Sequence, residues 1–281
     1  MKTLLLPVDF TATSENAVNF AIEWCRKYEY ERIILLKTFY DSMFEGLIVS
    51  AEYSNVNQDD INRQREDDTE QLQILCKSVA QRLDGVKVVT AVSEYPLLRG
   101  IFEVIRNENP DLIIVGSDNQ SYSSASIVAS NVISIAKASP VRVLVVPADY
   151  TYKPVQQALL PYNFNMLKDL DRVNSLRTSS HWHDLKLSIL NIDTSQRIIK
   201  VPEKFNDAED KFDRLVKNFE HEIYYTKERN VVDGIASFIK EHEVQLIIAL
   251  PGKHSFLYTL THASISEAIY RNARYPVLIL K

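Results

Sequence analysis

The sequence is poor in glycine, cysteine and long apolar runs. Six glycines in 281 residues disfavour the Gly-rich loops that bind phosphate. Cys25 and Cys76 lie far apart inside helical patterns, so we expect no disulfide framework or zinc site, and two buried or half-buried thiols. No stretch reaches the roughly 18 apolar residues of a membrane span, and the N-terminus lacks the pattern of a signal peptide. We therefore expect a cytoplasmic protein that does not bind a membrane.

Charge of one sign is also lacking. The chain has 32 basic and 37 acidic side chains and a net charge of −5, which predicts neither nucleic acid nor an anionic membrane as a partner. Apolar residues make up 46% and charged residues 25%, as in an ordinary globular protein. The length suits two domains, or one large one.

An internal repeat organises the chain. LLLPVDF at 4–10 returns as ALLPYNF, 154 residues later, while PDLIIVGS at 110–117 returns as VQLIIALP, 134 residues later. At the second offset VASNVISIA (128–136) matches HASISEAIY, and VRVLVV (141–146) matches YPVLIL. We therefore predict a tandem duplication, with one domain at 1–149 and a shorter, degenerate one at 154–281.

Strand and helix patterns alternate within each half. The predicted strands are 3–8, 32–38, 86–92, 111–115 and 141–146, and the predicted helices are 14–28 (capped by Thr13 or Ser14), 61–83, 97–107 and 126–137. In the second half the second helix is shorter, around 205–217. Continuously apolar strands are typical of parallel sheets covered on both faces. The sequence thus predicts an α/β fold with two doubly wound, open, parallel five-stranded sheets.

Ligands of such sheets bind beyond the carboxyl ends of the strands. This edge holds Pro7–Asp9, Lys37–Thr38 and Gly116–Ser117 in the first half, and Pro161–Asn163, Asn191–Ile192 and Leu250–Pro251 in the second.

Two segments resemble a known family. LLLPVDFTATSENAVNFA (4–21) resembles the opening of a universal stress protein domain. DLIIVGS (111–117) with ASNVISIAKASPVRVLVVP (129–147) resembles its ending. The resemblance spans both halves and implies a tandem universal stress protein of adenine nucleotide alpha hydrolase-like fold, whose last strands pair in a pseudo-dimer. Members bind ATP or do not, according to a motif Gly-x2-Gly-x9-Gly-Ser/Thr after the fourth strand.

The first half keeps two of the four motif positions, which here are Gly116, Asn119, Ala129 and Ser130. The resemblance also assigns nucleoside contact to Asp9 and backbone recognition of adenine to Thr38. Between Ser117 and Ala136, however, the chain has one acidic residue, Asp118, and no Lys or Arg to attract a triphosphate. The candidate nucleotide-binding residues are Pro7, Asp9, Thr38, Gly116, Ser117, Asn119, Ala129, Ser130 and Asn131.

The second half departs further from the motif. Its equivalent positions are Leu250, Lys253, Ala263 and Ser264, and Asn163 replaces the carboxylate. PGKHS at 251–255 lacks the glycine at 247 that a Walker sequence requires, because that residue is Ile247. We expect this half to be a structural copy of the first.

The histidines offer two weaker alternatives. His181, His183 and Asp184 are of metal-ligand type, but they fall in a turn at the opposite edge of the sheet, where a solvated turn is the simpler interpretation. His254 and His262 with Lys253 form either a small anion patch or ordinary loop polarity. We predict no metal and assign no catalytic residue, because no nucleophile has a recognisable context.

Three hypotheses follow for function. The first is a non-catalytic scaffold in stress adaptation, with a degraded nucleotide site and no required cofactor. The second is a module that senses ATP, ADP or AMP through the first domain, and the third is slow ATP hydrolysis. A two-component receiver domain is set aside, since Asp9 supplies one carboxylate where a clustered acidic pair is needed.

Partner surfaces are predicted from charge and exposure. Residues 1–150 carry a net charge of −7 and the rest +2, which suits pairing of the two domains within the chain. A homodimer or an unidentified protein partner is also considered, with contacts on the helix at 61–83 and the loop Tyr40–Gln58. The charged stretch Asp59–Glu70 is interpreted as the solvated face of that helix.

Overall fold

The structure, a computed structural model, divides the chain into two compact units, Met1–Val143 and Leu144–Lys281. The residues that it describes are 1–39, 58–118, 126–161, 171–174, 176, 182, 184–193, 219–228, 231–250 and 274–281. The division falls a few residues before the boundary at 149–154 that the repeat predicts.

Strands and helices alternate along the first part of the chain. The elements are β1 (Thr3–Pro7), α1 (Ala12–Tyr28), β2 (Arg32–Thr38), α2 (Gln58–Gln81), β3 (Lys87–Ser93), α3 (Leu97–Glu108), β4 (Leu112–Ser117), α4 (Ile127–Ala138) and β5 (Arg142–Pro147). The strand order is β3-β2-β1-β4-β5, and β1 pairs in parallel with both β2 and β4. The predicted α/β class with a parallel, doubly wound sheet is confirmed.

Burial follows the apolar pattern of the strands. Every residue of β1 and β4 is buried, and so are six of the seven residues of β2. In β3, at the edge of the sheet, the residues before the buried Ser93 are exposed or half-buried. Continuous burial of the central strands shows that both faces of the sheet are covered, as expected for strands joined through helices.

The start of α1 differs from the prediction. The cap is Thr11, which has an extended backbone and whose side-chain oxygen accepts the Ser14 N–H at 3.3 Å. Thr13 and Ser14 are buried inside the first turn and do not cap it. A side-chain cap of this kind is worth about 1 kcal/mol.

The second unit repeats the strand arrangement of the first. They are β6 (Gln157–Pro161), α5 (Asp171–Asn174), β7 (Lys186–Asp193), β8 (Glu220–Lys227), α6 (Val231–Glu241), β9 (Leu246–Ala249) and β10 (Val277–Ile279). The strand order is β10-β9-β6-β7-β8, the same order as before when it is taken from the fifth strand, and the pairs are parallel. The helix predicted at 205–217 lies outside the described residues.

The state of the cysteines and the absence of a membrane-spanning segment were also predicted. Both cysteines carry free thiols; Cys25 is buried and Cys76 half-buried, as predicted. Every helix in the described part of the chain is too short or too polar to cross a bilayer.

Candidate functional site

The carboxyl edge of the first sheet is organised around Asp9, in the turn between β1 and α1. One carboxylate oxygen, Oδ1, accepts hydrogen bonds from the backbone N–H (3.2 Å) and hydroxyl (2.6 Å) of Thr11. The other, Oδ2, accepts from the Ser126 hydroxyl at 2.6 Å and from the Val128 N–H at 3.0 Å. The side chain therefore joins the start of α1 to the start of α4, more than a hundred residues later.

These donors keep Asp9 ionised. Burial alone raises the pKa of its carboxyl, but the hydrogen bonds from Ser126, Thr11 and Val128 outweigh burial and lower the pKa below its usual value. A negative charge thus lies at the N-terminus of α4, where the helix dipole favours an anion.

Three consecutive N–H groups in the first turn of α4, those of Val128, Ala129 and Ser130, have acceptors. The Val128 N–H donates to Asp9, the Ala129 N–H to the hydroxyl of the cap Ser126 at 3.0 Å, and the Ser130 N–H to the Ser126 carbonyl at 3.1 Å. A phosphate at this helix start would need such donors. The Asp9 carboxylate already takes one of these donors, the Val128 N–H.

The motif residues on α4 turn toward their own helix. The exposed Ser130 hydroxyl and the Asn131 side-chain amide both donate to the Ile127 carbonyl at 2.9 Å. Ala129 is fully buried. Of the three, only Ser130 and Asn131 present polar side chains that a ligand could reach.

Gly116 has a packing role. A Cβ built on this residue would lie 2.6 Å from the Thr13 carbonyl oxygen and 2.9 Å from the Thr13 methyl group. Real Cβ atoms do not approach backbone oxygen so closely, so α1 meets β4 at a distance that only glycine allows. A glycine can serve either a positive φ or the close approach of another backbone. Gly116 does not have a positive φ, so the close approach of Thr13 explains it.

The end of β2, where adenine recognition was predicted, is engaged in the sheet. Thr38 is buried and pairs with Ser93 of β3. The next backbone donor, the Phe39 N–H, bonds the Ser93 carbonyl at 3.0 Å. Pro7 is likewise buried as the last residue of β1. The Phe39 N–H is therefore already paired, and recognition of adenine at Thr38 stays a prediction.

Ser117 is the least satisfied polar group at this edge. It is fully buried at the end of β4, and its hydroxyl has no hydrogen-bond partner among the described residues. Asn119, two residues later, lies outside the described residues, so its predicted role stays a prediction.

A buried ion pair beside Phe10 was not predicted from the sequence. Lys37, near the end of β2, pairs with Asp68 of α2 at 3.1 Å, and their side chains are 11% and 8% exposed. The stretch Asp59–Glu70 is therefore not solvated throughout, and that interpretation is wrong at Asp68. The signal was Lys37 itself, a cation that directly follows four apolar residues of β2.

In the second unit the structure describes four of the residues predicted at the carboxyl edge. Pro161 and Leu250 are buried, and Asn191 and Ile192 half-buried. Asn163, Lys253, Ala263, Ser264 and the histidines at 181, 183, 254 and 262 lie outside the described residues. Within the described residues, no three His, Cys, Asp or Glu side chains are grouped to hold a metal ion.

Comparisons with known proteins give one matching family model and several solved structures of similar fold. The model of the universal stress protein family matches residues 1–147. The crystal structure of a universal stress protein from Archaeoglobus fulgidus DSM 4304 has a TM-score of 0.68 and 17% identity over 99% of this chain and 96% of that one. A putative universal stress protein from Pseudomonas aeruginosa UCBPP-PA14 has a TM-score of 0.61 and 11% identity over 100% and 93%.

A third structure of similar fold belongs to a different kind of protein. The cytoplasmic domain of a prokaryotic cation chloride cotransporter has a TM-score of 0.54 and 14% identity over 99% of this chain and 95% of that one. At such identities these structures show a shared fold and nothing more. No curated protein matches the sequence.

Proposed function

Since the chain belongs to the universal stress protein family, we propose that it is a non-catalytic interaction module of the cytoplasmic stress response. Its first unit carries a nucleotide site that the chain's own residues occupy. Its second unit is a degenerate copy of the same domain, so the whole is a tandem protein. No metal or nucleotide is required for this role.

The observation that carries the proposal is the Asp9 carboxylate at the start of α4. It accepts from the Val128 N–H and from the Ser126 hydroxyl, and Ser126 in turn caps the Ala129 N–H. An incoming phosphate would have to displace an ionised carboxylate from hydrogen bonds of 2.6 and 3.0 Å, against charge repulsion. The glycine that the motif retains, Gly116, is explained by its contact with Thr13.

Support for the tandem arrangement comes from the strand order. Both units place their first strand between the second and the fourth, and the strand pairs described in each are parallel. The family model itself covers only the first part of the chain.

The proposal is tested by titrating the full-length protein with ATP and magnesium in a calorimeter, after checking by mass spectrometry that no ligand is carried through purification. We expect no saturable heat at micromolar ATP and no phosphate release above a buffer control. Ser130→Ala is the matched variant, because the Ser130 hydroxyl is exposed and bonds only its own helix turn.

Stoichiometric adenine nucleotide in the purified protein, or micromolar affinity that Ser130→Ala weakens, would replace this proposal with the nucleotide-sensing hypothesis. Magnesium-dependent phosphate release above the control would favour the hydrolase.

A further inference from the structure

The Lys37–Asp68 pair holds the first half of α2 against the carboxyl edge of the sheet. The Lys37 ammonium lies 3.1 Å from Asp68 Oδ2 and 5.0 Å from the centre of the Phe10 ring. The second carboxylate oxygen, Asp68 Oδ1, accepts a hydrogen bond from the Gln64 side-chain amide at 3.1 Å. Both charged side chains are about nine-tenths buried.

A buried ion pair is a poor way to stabilise a contact. Removing two charges from water costs several kcal/mol for each ion, and well-packed apolar residues often serve equally well in the same place. An ion pair differs from an apolar contact in one useful respect. Another anion can take the place of the carboxylate, because the cation needs a negative partner and not a particular one.

The site also has a second cation and a strained residue. The Arg65 guanidinium lies 5.8 Å from the centre of the Phe39 ring and pairs with Glu94, which follows β3. Phe10, beside Lys37, has a φ of 59°, a left-handed conformation that bulky residues rarely adopt. Strain of this kind persists where the surrounding structure demands it, and here it places an aromatic ring next to the buried ammonium.

The rest of α2 is attached independently. Leu72 and Val79 are each 1% exposed and belong to the apolar core. Without the Lys37–Asp68 contact, the part of the helix around residues 64–68 would be held mainly by the more exposed Arg65–Glu94 pair, which is a weak contact, while the later turns stay packed.

We propose that Lys37, Asp68 and Phe10 form a displaceable latch. A small phosphate-type dianion binds the Lys37 ammonium in place of the Asp68 carboxylate, and the first half of α2 is released. Coupling is reciprocal: whatever binds the released helix raises the affinity of Lys37 for the anion. Only this last step rests on the proposed function, since α2 carries the surface predicted to contact a partner.

The test is hydrogen exchange of the full-length protein, monitored by mass spectrometry over residues 64–70. Asp68→Asn keeps the shape of the side chain and removes its charge, so we expect about tenfold faster exchange in this segment. Asp67→Asn is the matched control, because Asp67 is exposed on the same helix, and its exchange should stay at the wild-type rate.

Millimolar pyrophosphate should accelerate the same amides in the wild-type protein, and Lys37→Met should abolish that response. Potassium chloride at matched ionic strength is the screening control, since general screening acts weakly on a buried pair. ATP should do no more than pyrophosphate, because nothing in the latch recognises a base.

Equal effects of chloride and pyrophosphate, or equal exchange in Asp68→Asn and Asp67→Asn, would overturn the latch. Should Asp68→Asn fail to fold, the wild type decides the matter: faster exchange with pyrophosphate than with chloride supports the latch, and equal exchange overturns it. Neither readout uses a partner or a calorimetric ATP signal, so the latch and the proposed function can fail separately.

Discussion

Replacing Asp9 should destabilise the first unit even though the residue lies where a ligand was predicted. Its carboxylate accepts four hydrogen bonds, from two groups of Thr11 and from Ser126 and Val128. Hydrogen bonds to a charged group contribute roughly 1.5–3 kcal/mol each but are not additive within one cluster. We therefore expect Asp9→Ala to lower the free energy of unfolding by about 3 kcal/mol.

Asp9→Asn should lose less. An asparagine can keep its oxygen toward Ser126 and Val128, and its amide can donate to the Thr11 hydroxyl, which accepts as well as donates. The Thr11 N–H then faces another donor, and one bond is lost, at about 1–2 kcal/mol. Urea unfolding of the wild type and both variants gives the three free energies, with Glu23→Gln, on the exposed face of α1, as a control expected to change little.

The same series has a pH signature. Because the folded pKa of Asp9 lies below its ordinary value of 3.8, the stabilisation from its charge is present above that pH and is lost as the pH falls through the folded pKa. The wild type should thus lose stability more steeply on acidification than Asp9→Asn. If Asp9→Ala unfolds within about 0.5 kcal/mol of the wild type, the reasoning from these hydrogen bonds is refuted.

Two further predictions follow from packing and from thiol burial. Gly116→Ala should lower the free energy of unfolding by about 2 kcal/mol, and by more than Gly100→Ala does. The added Cβ at 116 would lie 2.6 Å from the Thr13 carbonyl oxygen, whereas the one at 100 would lie 3.1 Å from the Ser93 side chain and the Thr38 methyl group. Urea unfolding of both variants compares the two losses, and a larger loss in Gly100→Ala would contradict this reasoning. Cys25, whose pKa burial raises to about 11, should react with iodoacetamide more slowly than the half-buried Cys76; peptide mass spectrometry follows both rates, and the difference should vanish in urea.

The elements of the first sheet could be predicted because their signals are local. β2 was predicted at its observed bounds, and β4 within two residues, since uninterrupted apolar runs have few other uses in a chain of this composition. The cap of α1 was misplaced because three hydroxyl residues, Thr11, Thr13 and Ser14, lie within four positions. Only the backbone geometry shows that Thr11 accepts the capping bond.

The positions of the candidate site residues in the fold were predicted, but their hydrogen bonds were not. The strand pattern placed Asp9 and Gly116 at the carboxyl edge, and the resemblance added Ser130; in the structure Asp9 follows β1, Gly116 lies near the end of β4, and Ser130 lies in the first turn of α4. Sequence patterns carry no sign that Asp9 bonds Ser126 and Val128, which lie 117 and 119 residues away. Asp68 was misjudged for the same reason: helical charge patterns describe neighbours on one helix, whereas the partner that buries it, Lys37, belongs to a strand.

The scarcity of glycine has a consequence for how the chain turns. Glu29 and Asn109 end α1 and α3 with φ of 53° and 46°, although glycine is the residue that usually holds this position. Each non-glycine residue in the left-handed region costs about 1 kcal/mol. The fold therefore stores conformational energy at two helix ends and at Phe10, and the helix ends are the places where a homologue or an engineered variant could gain stability without touching the core or the carboxyl edge.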